Sequence, residues 1–124
     1  MLVNDKDEVL LLRHSMHGNA PWGLPSGYMN RSETPAECVL RELKEETGLT
    51  ATLQGVLMVD RSHAKTNDLD IIYRAVDPKG DIVVSFEIIE ARWFRPDSLP
   101  TRGILPKTRQ AVRLAMQDPQ ASGF

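Results

Sequence analysis

The chain has 124 residues, of which 41% are hydrophobic and 26% charged, and its formal net charge at pH 7 is −2. This length allows one domain with its own core, residues 1–124, and excludes a second. The nearly balanced charge gives no general attraction to nucleic acid or to an anionic membrane, so neither is expected as a partner. The single cysteine, Cys38, excludes an internal disulfide and suits a reducing cytoplasm, and no signal peptide or membrane-spanning apolar run is found.

Apolar segments at the start of the chain predict strands. Leu2 and Val3 precede a polar turn and the apolar run 9–12, which predicts the end of one strand, a turn and a buried strand. Arg13 follows, with two roles open to it: contact with a substrate phosphate, or a structural ion pair. The His-, Gly- and Pro-containing segment 14–25 predicts a loop, beneath which Trp22 is expected to pack.

The segment 27–49, GYMNRSETPAECVLRELKEETGL, contains the most clearly marked helix. Thr34 is a suitable N-cap, Pro35 fits the first helical position, and Glu37 completes a capping box. Gly48 predicts the end of the helix. The residues that recur at helical spacing, and so predict a buried stripe, are Ala36, Val39, Leu40, Leu43 and Thr47.

Three carboxylates are expected on the other face of this helix. A winding of about 100° per residue places Glu42, Glu45 and Glu46 within an arc of about 100°, pointing away from the apolar stripe. A divalent cation relieves their mutual repulsion, and such hard oxygen ligands suit Mg²⁺ or Mn²⁺. Arg41 lies beside them and can pair with Glu45 one turn on or with Glu33.

A solvated helix face with i,i+4 charge pairs is the alternative interpretation. It explains neither the glycine-bearing turn LPSG before the helix nor the position of Glu33 just outside the N-cap. A cation site uses both, because a turn carbonyl near Gly27 adds a neutral oxygen ligand.

The spacing of these residues resembles that of a known family. Gly27, five residues, Glu33, seven residues and then RELKEETGL at 41–49 fill every fixed position of the Nudix hydrolase signature. The flanking segments 22–25 (WGLP) and 90–94 (EARWF) also look like those of the family. Ser26 replaces a second glycine that is common there, and the first strand is shorter than in most members.

The resemblance implies an α+β fold of the Nudix type, an α/β/α sandwich with a mixed β-sheet flanked by helices. The order of strands, helix, strands and helix agrees with it. The implied activity is metal-dependent hydrolysis of a pyrophosphate linkage in a nucleoside diphosphate linked to another moiety, with water attacking phosphorus and Mg²⁺ or Mn²⁺ as cofactor. The expected partner is therefore a small nucleotide-type substrate.

The resemblance also assigns roles, although the family uses no single fixed residue as the base. It implies Arg41, Glu42 and Glu45 as catalytic residues, Gly27, Glu42, Glu45, Glu46 and Glu87 as metal ligands, and Glu33 as a supporting residue. Separately from the resemblance, their basic side chains make Arg13, Arg61 and His63 the candidate substrate-binding residues.

The rest of the chain predicts strands and a closing helix. Strands are expected at 51–60 and 69–76, and the polar loop between them is either a plain hairpin loop or a basic lip over the substrate phosphates. A turn is predicted at 78–81. Glu87 follows it and has two roles open to it, a metal contact or a surface carboxylate. Glu87 and Glu90 precede the strand predicted at 92–94, and the helix 106–117 closes the core.

The substrate and a second class of function stay open at this stage. Markers of the family's subgroups are absent downstream of the signature, which leaves a nucleoside triphosphate pyrophosphohydrolase or a broad nucleotide-sugar hydrolase as the default. The alternative is a non-catalytic nucleotide-binding or regulatory domain of the same fold. Retention of three repelling carboxylates argues against it. A homodimer is also left open.

Overall fold

The computed structural model describes residues 1–16, 18–62 and 67–117, so His63, one of the predicted substrate-binding residues, lies outside the described residues. The elements, in chain order, are the strands β1 (Val9–His14) and β2 (Trp22–Gly23), the helix α1 (Pro35–Thr47), the strands β3 (Thr50–Arg61), β4 (Leu69–Lys79) and β5 (Ile88–Phe94), and the helix α2 (Pro106–Ala115).

The described strands form two groups joined by the first residues of the chain. One sheet has the order β2-β1-β5 and the other is the antiparallel pair β3-β4. Val3 pairs with Val9 in an antiparallel bridge, while Leu2 pairs with Ala75 of β4 in a parallel one. The segment 1–3 therefore connects the two sheets, and the parallel bridge gives the whole its mixed character.

The side chains of β1 alternate between two hydrophobic clusters. Leu10 and Leu12 are buried with Leu43 of α1, whereas Val9 is buried with Val112 of α2. Because successive strand residues point to opposite faces, the two helices cover opposite faces of the sheet. This arrangement confirms the α+β sandwich.

Local signals fix both ends of α1 as predicted. The Thr34 hydroxyl accepts a bond from the Glu37 N–H at 3.2 Å, and the Glu37 carboxylate accepts one from the Thr34 N–H at 3.0 Å. At the other end Gly48 has φ 79°, a left-handed conformation that ends a helix at little cost. The predicted buried stripe is partly wrong, because Leu40 is exposed and Cys38 is buried instead.

Three boundaries differ from the sequence-based prediction. His14 and the pair Trp22–Gly23 lie in strands rather than in a loop, because Leu12 pairs with Gly23 and Arg13 with Trp22. Glu90 lies within β5 instead of before it. The predicted turn at 78–81 begins later, since β4 continues to Lys79 and Gly80 makes the bend with φ 104°. Within the described residues, neither helix is long and apolar enough to cross a membrane.

Candidate active site

Arg41 is the centre of a hydrogen-bond network on α1. Its Nε donates to Glu33 Oε2 at 2.6 Å and its Nη2 to Glu33 Oε1 at 3.0 Å, a bidentate pair. Its Nη1 donates to Glu42 Oε1 at 2.7 Å and to Glu45 Oε2 at 3.1 Å. Its Nη2 also reaches the Tyr28 carbonyl at 3.1 Å. One guanidinium thus holds three carboxylates and the turn that precedes the helix.

The bond to Arg41 sets the charge of Glu33. Hydrogen bonding from the guanidinium, supported by the Asn30 N–H, lowers the pKa of Glu33 to about 2. In return, the carboxylates raise the pKa of Arg41 above its usual value, Glu33 most of all. Both groups are therefore charged at neutral pH, and the pairing of Arg41 with Glu33 is one of the two that the sequence predicted.

Gly27 lies against the carboxylate of Glu42. A Cβ added to Gly27 would be 2.2 Å from Glu42 Cδ, a separation that no side chain can adopt. The thiol of Cys38 points to the Gly27 carbonyl at 3.9 Å, and burial raises the pKa of that thiol. A side chain at position 27 would therefore displace the carboxylate of Glu42, and the protonated thiol of Cys38 is unsuited to act as a nucleophile.

The orientation of Glu46 corrects the sequence-based prediction. Its side chain does not point to solvent with Glu45 but is buried, with 5% of its surface exposed, and Oε1 accepts a bond from the Ser26 N–H at 2.8 Å. Burial raises its pKa to about 7, and repulsion from Glu42, Glu87 and Glu45 acts in the same direction. Such a buried carboxylate is stabilised by any cation that comes close to it.

Glu87 lies on a segment that is attached to both α1 and β1. The Ser85 N–H donates to the Glu46 carbonyl at 3.3 Å, and the N–H and hydroxyl of Ser15 donate to the Glu87 carbonyl at 3.0 and 3.1 Å. The Glu87 side chain is exposed, yet it is close enough to contribute to the raised pKa of Glu46. The fold therefore brings Glu87 to the carboxylates of α1.

The chemistry of this donor set fits a divalent cation. Carboxylate oxygens from Glu42, Glu45, Glu46 and Glu87 and the carbonyl of Gly27 are all hard ligands of the kind that Mg²⁺ binds. Among residues 1–16, 18–62 and 67–117, no three acidic, His or Cys side chains form a ready-made metal site. Nη1 of Arg41 lies between Glu42 and Glu45, at 2.7 and 3.1 Å from their carboxylate oxygens.

The predicted substrate-binding arginines lie apart from this network. Arg13 is half-exposed and its Nε is 3.5 Å from Glu90 Oε1, which is the ion pair that the sequence left open. Arg61 is exposed, and its carbonyl accepts a bond from Lys107 at the start of α2. Neither side chain forms an ion pair with a carboxylate of α1 within the described part of the chain.

Two backbone groups of the turn before α1 make contacts that the sequence did not predict, although it did predict the nearby Gly27 carbonyl as a ligand. The Ser26 N–H holds Glu46, and the Tyr28 carbonyl holds Arg41. The signal available in the sequence was the LPSG turn, which indicated a close approach but not which atoms meet. Ser26 contributes through its backbone, so its difference from the usual glycine leaves this bond intact.

A cavity of about 400 Å³ lies elsewhere, between α2 and the connector that follows β5. Its lining includes Arg109, Arg113 and Met116 but no carboxylate. We place the candidate site at α1, because the cavity has none of the ligands that a metal-assisted reaction needs.

The fold is an α/β/α sandwich, and the candidate site is on a helix whose carboxylates are hydrogen-bonded to one arginine. A family model described as NUDIX domain matches residues 1–115. The NAD-capped RNA hydrolase NudC of Escherichia coli (strain K12 / DH10B) is 31% identical over 118 residues, which is 94% of this chain and 44% of NudC. The chain belongs to the Nudix family. It spans less than half the length of the curated relatives that it matches.

Solved structures support the fold. The MutT NUDIX hydrolase from Burkholderia pseudomallei has a TM-score of 0.77 at 24% identity, covering 93% of this chain and 95% of that one. The NUDIX domain of Shewanella oneidensis NrtR, complexed with ADP ribose, has a TM-score of 0.74 at 20% identity, covering 92% of this chain and 80% of that one. A UDP-X diphosphatase has a TM-score of 0.74 at 24% identity, covering 98% and 60%.

Proposed function

We propose that this chain hydrolyses a pyrophosphate linkage in a nucleoside diphosphate linked to another moiety, through attack of water at phosphorus. The observation that carries the proposal is the network in which Arg41 holds Glu33, Glu42 and Glu45 against the turn at Gly27. The names of similar proteins are consistent with it, because NAD, UDP-X and ADP ribose all contain a nucleoside diphosphate.

The charge of the substrate explains why this site needs a cation. A pyrophosphate is anionic and repels both hydroxide and the carboxylates of α1. Bound Mg²⁺ or Mn²⁺ would neutralise phosphate oxygens and favour the ionisation of water. We assign the binding of the ion to Glu42, Glu45, Glu46 and Glu87, together with the carbonyl of Gly27.

The protein's own residues position these ligands. Glu33 holds Arg41 by two hydrogen bonds. These two bonds would keep the guanidinium in place if a bound cation replaced Nη1 as the partner of Glu42 and Glu45. The Ser26 N–H fixes one oxygen of Glu46. Glu42 is the candidate general base. It lies between the turn at Gly27 and Arg41, and a general base must be within hydrogen-bond reach of the water from which it takes a proton. Arg13, Arg61 and His63 remain candidates for contact with the substrate.

Chromatographic detection of the nucleotide products formed from a panel of substrates tests the proposal. The panel contains nucleoside triphosphates, nucleotide sugars, ADP-ribose and dinucleoside polyphosphates, each with Mg²⁺, with Mn²⁺ and with chelator. We expect cation-dependent turnover of at least one group and its loss in chelator. Saturable binding of nucleotide by folded protein without turnover of any member would contradict hydrolysis and favour a non-catalytic nucleotide-binding domain.

A further inference from the structure

Among the described residues, the three most exposed large hydrophobic side chains each follow or precede, along the chain, a residue of the candidate site or one bonded to it. Tyr28 follows Gly27, Phe86 precedes Glu87, and Met16 follows Ser15, which is bonded to the Glu87 carbonyl. Phe86, Tyr28 and Met16 are 95%, 86% and 85% exposed. Exposed apolar surface is unfavourable by about 25 cal/mol per Å², and single exposed hydrophobic residues are normally scattered. Their occurrence next to residues of one site indicates that the site has an apolar ligand.

The backbone of Tyr28 is fixed although its ring is free. Its carbonyl accepts a bond from Arg41 Nη2 at 3.1 Å, and the preceding residue, Gly27, touches the carboxylate of Glu42. The ring therefore stands one residue, or about 3.8 Å of backbone, from a proposed metal ligand. The backbone bond holds the Cα of Tyr28 in a constant position relative to that ligand.

The backbone of Phe86 is held in the same way on another segment. The Ile88 N–H donates to the Ser85 carbonyl at 3.0 Å, which closes a turn with Phe86 and Glu87 at its centre. Ser85 is bonded to the carbonyl of Glu46, and Glu87 to Ser15. The turn is thus anchored on both sides and presents a fully exposed ring beside Glu87.

We propose that Phe86 and Tyr28 bind the base of the nucleotide substrate by stacking, next to the carboxylates that hold its diphosphate. This inference rests on the proposed function for the position of the diphosphate. Every nucleobase has an apolar π-face, and stacking on an aromatic side chain is a common way to bind it. A base is joined to its diphosphate through one sugar, so it must lie near to but not among the carboxylates, and Tyr28 and Phe86 are each one residue along the chain from a proposed metal ligand.

The chemistry of Phe86 also predicts a loose preference among bases. Its ring has no polar atom, so it cannot read the hydrogen-bonding edge of a base, and stacking tolerates any base. Adenine, guanine, cytosine and uracil nucleotides should therefore bind with similar affinities at this position, with the larger purines somewhat favoured.

Calorimetric titration with two probes in Mg²⁺ tests the inference without requiring turnover. The probes are α,β-methylene-ADP, which has a base, and methylenediphosphonate, which has only the diphosphate group. The wild-type protein should bind the nucleotide more tightly than the diphosphonate by about tenfold or more, as expected for stacking. Phe86→Ser should remove most of this preference and leave the affinity for methylenediphosphonate unchanged, and Tyr28→Ser should act in the same direction.

Two further variants at Phe86 and one control separate stacking from general apolarity. Phe86→Trp should keep the preference, whereas Phe86→Leu should lose most of it. Val59→Ser is the matched control, because Val59 is also an exposed apolar residue, at 56%, but lies on β3. It should bind both probes as the wild type does.

The inference is overturned if Phe86→Ser retains the preference, if the wild type has none, or if it binds neither probe. It is also overturned if sedimentation shows that Phe86→Ser changes only the assembly of the chain, since the patch is then a contact between copies. Absence of hydrolysis with a Phe86-dependent preference intact would instead contradict the proposed reaction and leave the base site standing.

Discussion

Gly27 is the residue whose size most directly controls the carboxylates. The backbone at this position lies so close to Glu42 that any Cβ would overlap with the carboxyl group. The sequence signature requires a glycine there, and the structure supplies the steric reason.

Replacement of Gly27 by Ala should lower the turnover rate by roughly 100-fold, because displacement of a positioned group by about 1 Å has effects of this size. The added methyl group moves Glu42 without removing any ligand atom. Initial rates and cation affinity measure the effect. Gly23→Ala is the control, since its Cβ would meet only His14 at 3.7 Å, an ordinary contact. Equal rates for the two variants would contradict the steric role of Gly27.

Glu33 makes a pH-dependent contribution to folding whose sign follows from its lowered pKa. The folded value is about 2 against an ordinary 4.5, so the unfolded chain binds the proton more readily. The stabilisation is present above pH 4.5 and disappears as the pH falls through 2. The difference in free energy of unfolding between wild type and Glu33→Gln should shrink over that interval, in denaturant titrations at successive pH values. A difference that is constant from pH 5 to pH 2 would show that Arg41 does not hold Glu33 as described.

At the scale of elements, α1 is the part of the fold that local sequence determines best. Its cap residues act within a few positions of one another, so the capping box and the final glycine could be predicted and are confirmed. The faces of the helix were harder to predict. Its winding placed Glu46 with Glu45, but only the packing of the turn at 26–27 over the helix decides that Glu46 is buried.

Strand pairing was predictable where the apolar run was long and not where the partner is distant. β1, β3 and β4 were expected from their composition. β2 was expected to be loop because two residues between Pro21 and Leu24 form a strand only through pairing with β1. The pairing of Arg41 with Glu45 or Glu33 was predictable from spacing along the chain, whereas its bond to the Tyr28 carbonyl depends on a turn that meets the helix only after folding.

Thr34→Ala should lower the free energy of unfolding by about 1 kcal/mol, since it removes the side-chain acceptor for the Glu37 N–H. Denaturant unfolding measures the loss, and Thr34→Ser, which keeps the hydroxyl, should restore most of it. If Thr34→Ala is as stable as the wild type, the capping box is not formed in solution.

At the scale of the whole molecule, the segment 1–3 joins the two sheets, and both hydrophobic clusters contain residues from it. That connection favours the sequence-based proposal that residues 1–124 form one domain. Homodimerisation remains a prediction, which sedimentation equilibrium can check.

A single domain should unfold in one cooperative transition. Far-UV circular dichroism follows α1 and α2, while fluorescence of the two tryptophans, Trp22 in β2 and Trp93 in β5, follows the sheet that contains β1. The two signals should give the same midpoint in denaturant. Two separate midpoints would show that the helices and the three-stranded sheet unfold independently, which would contradict a single cooperative domain.

Comparison of Glu45→Gln with Glu37→Gln tests whether the carboxylates of α1 carry a cation-dependent hydrolysis. Both changes neutralise one glutamate of the same helix. Gln at 37 keeps the capping box, whereas Gln at 45 removes a proposed ligand. With the substrate identified from the panel and saturating Mg²⁺, we expect Glu45→Gln to lose roughly 100-fold or more of kcat, as when one preorganised charge-stabilising group is removed, while Glu37→Gln stays near the wild type. Equal rates for the two variants, from protein of equal stability, would contradict the account.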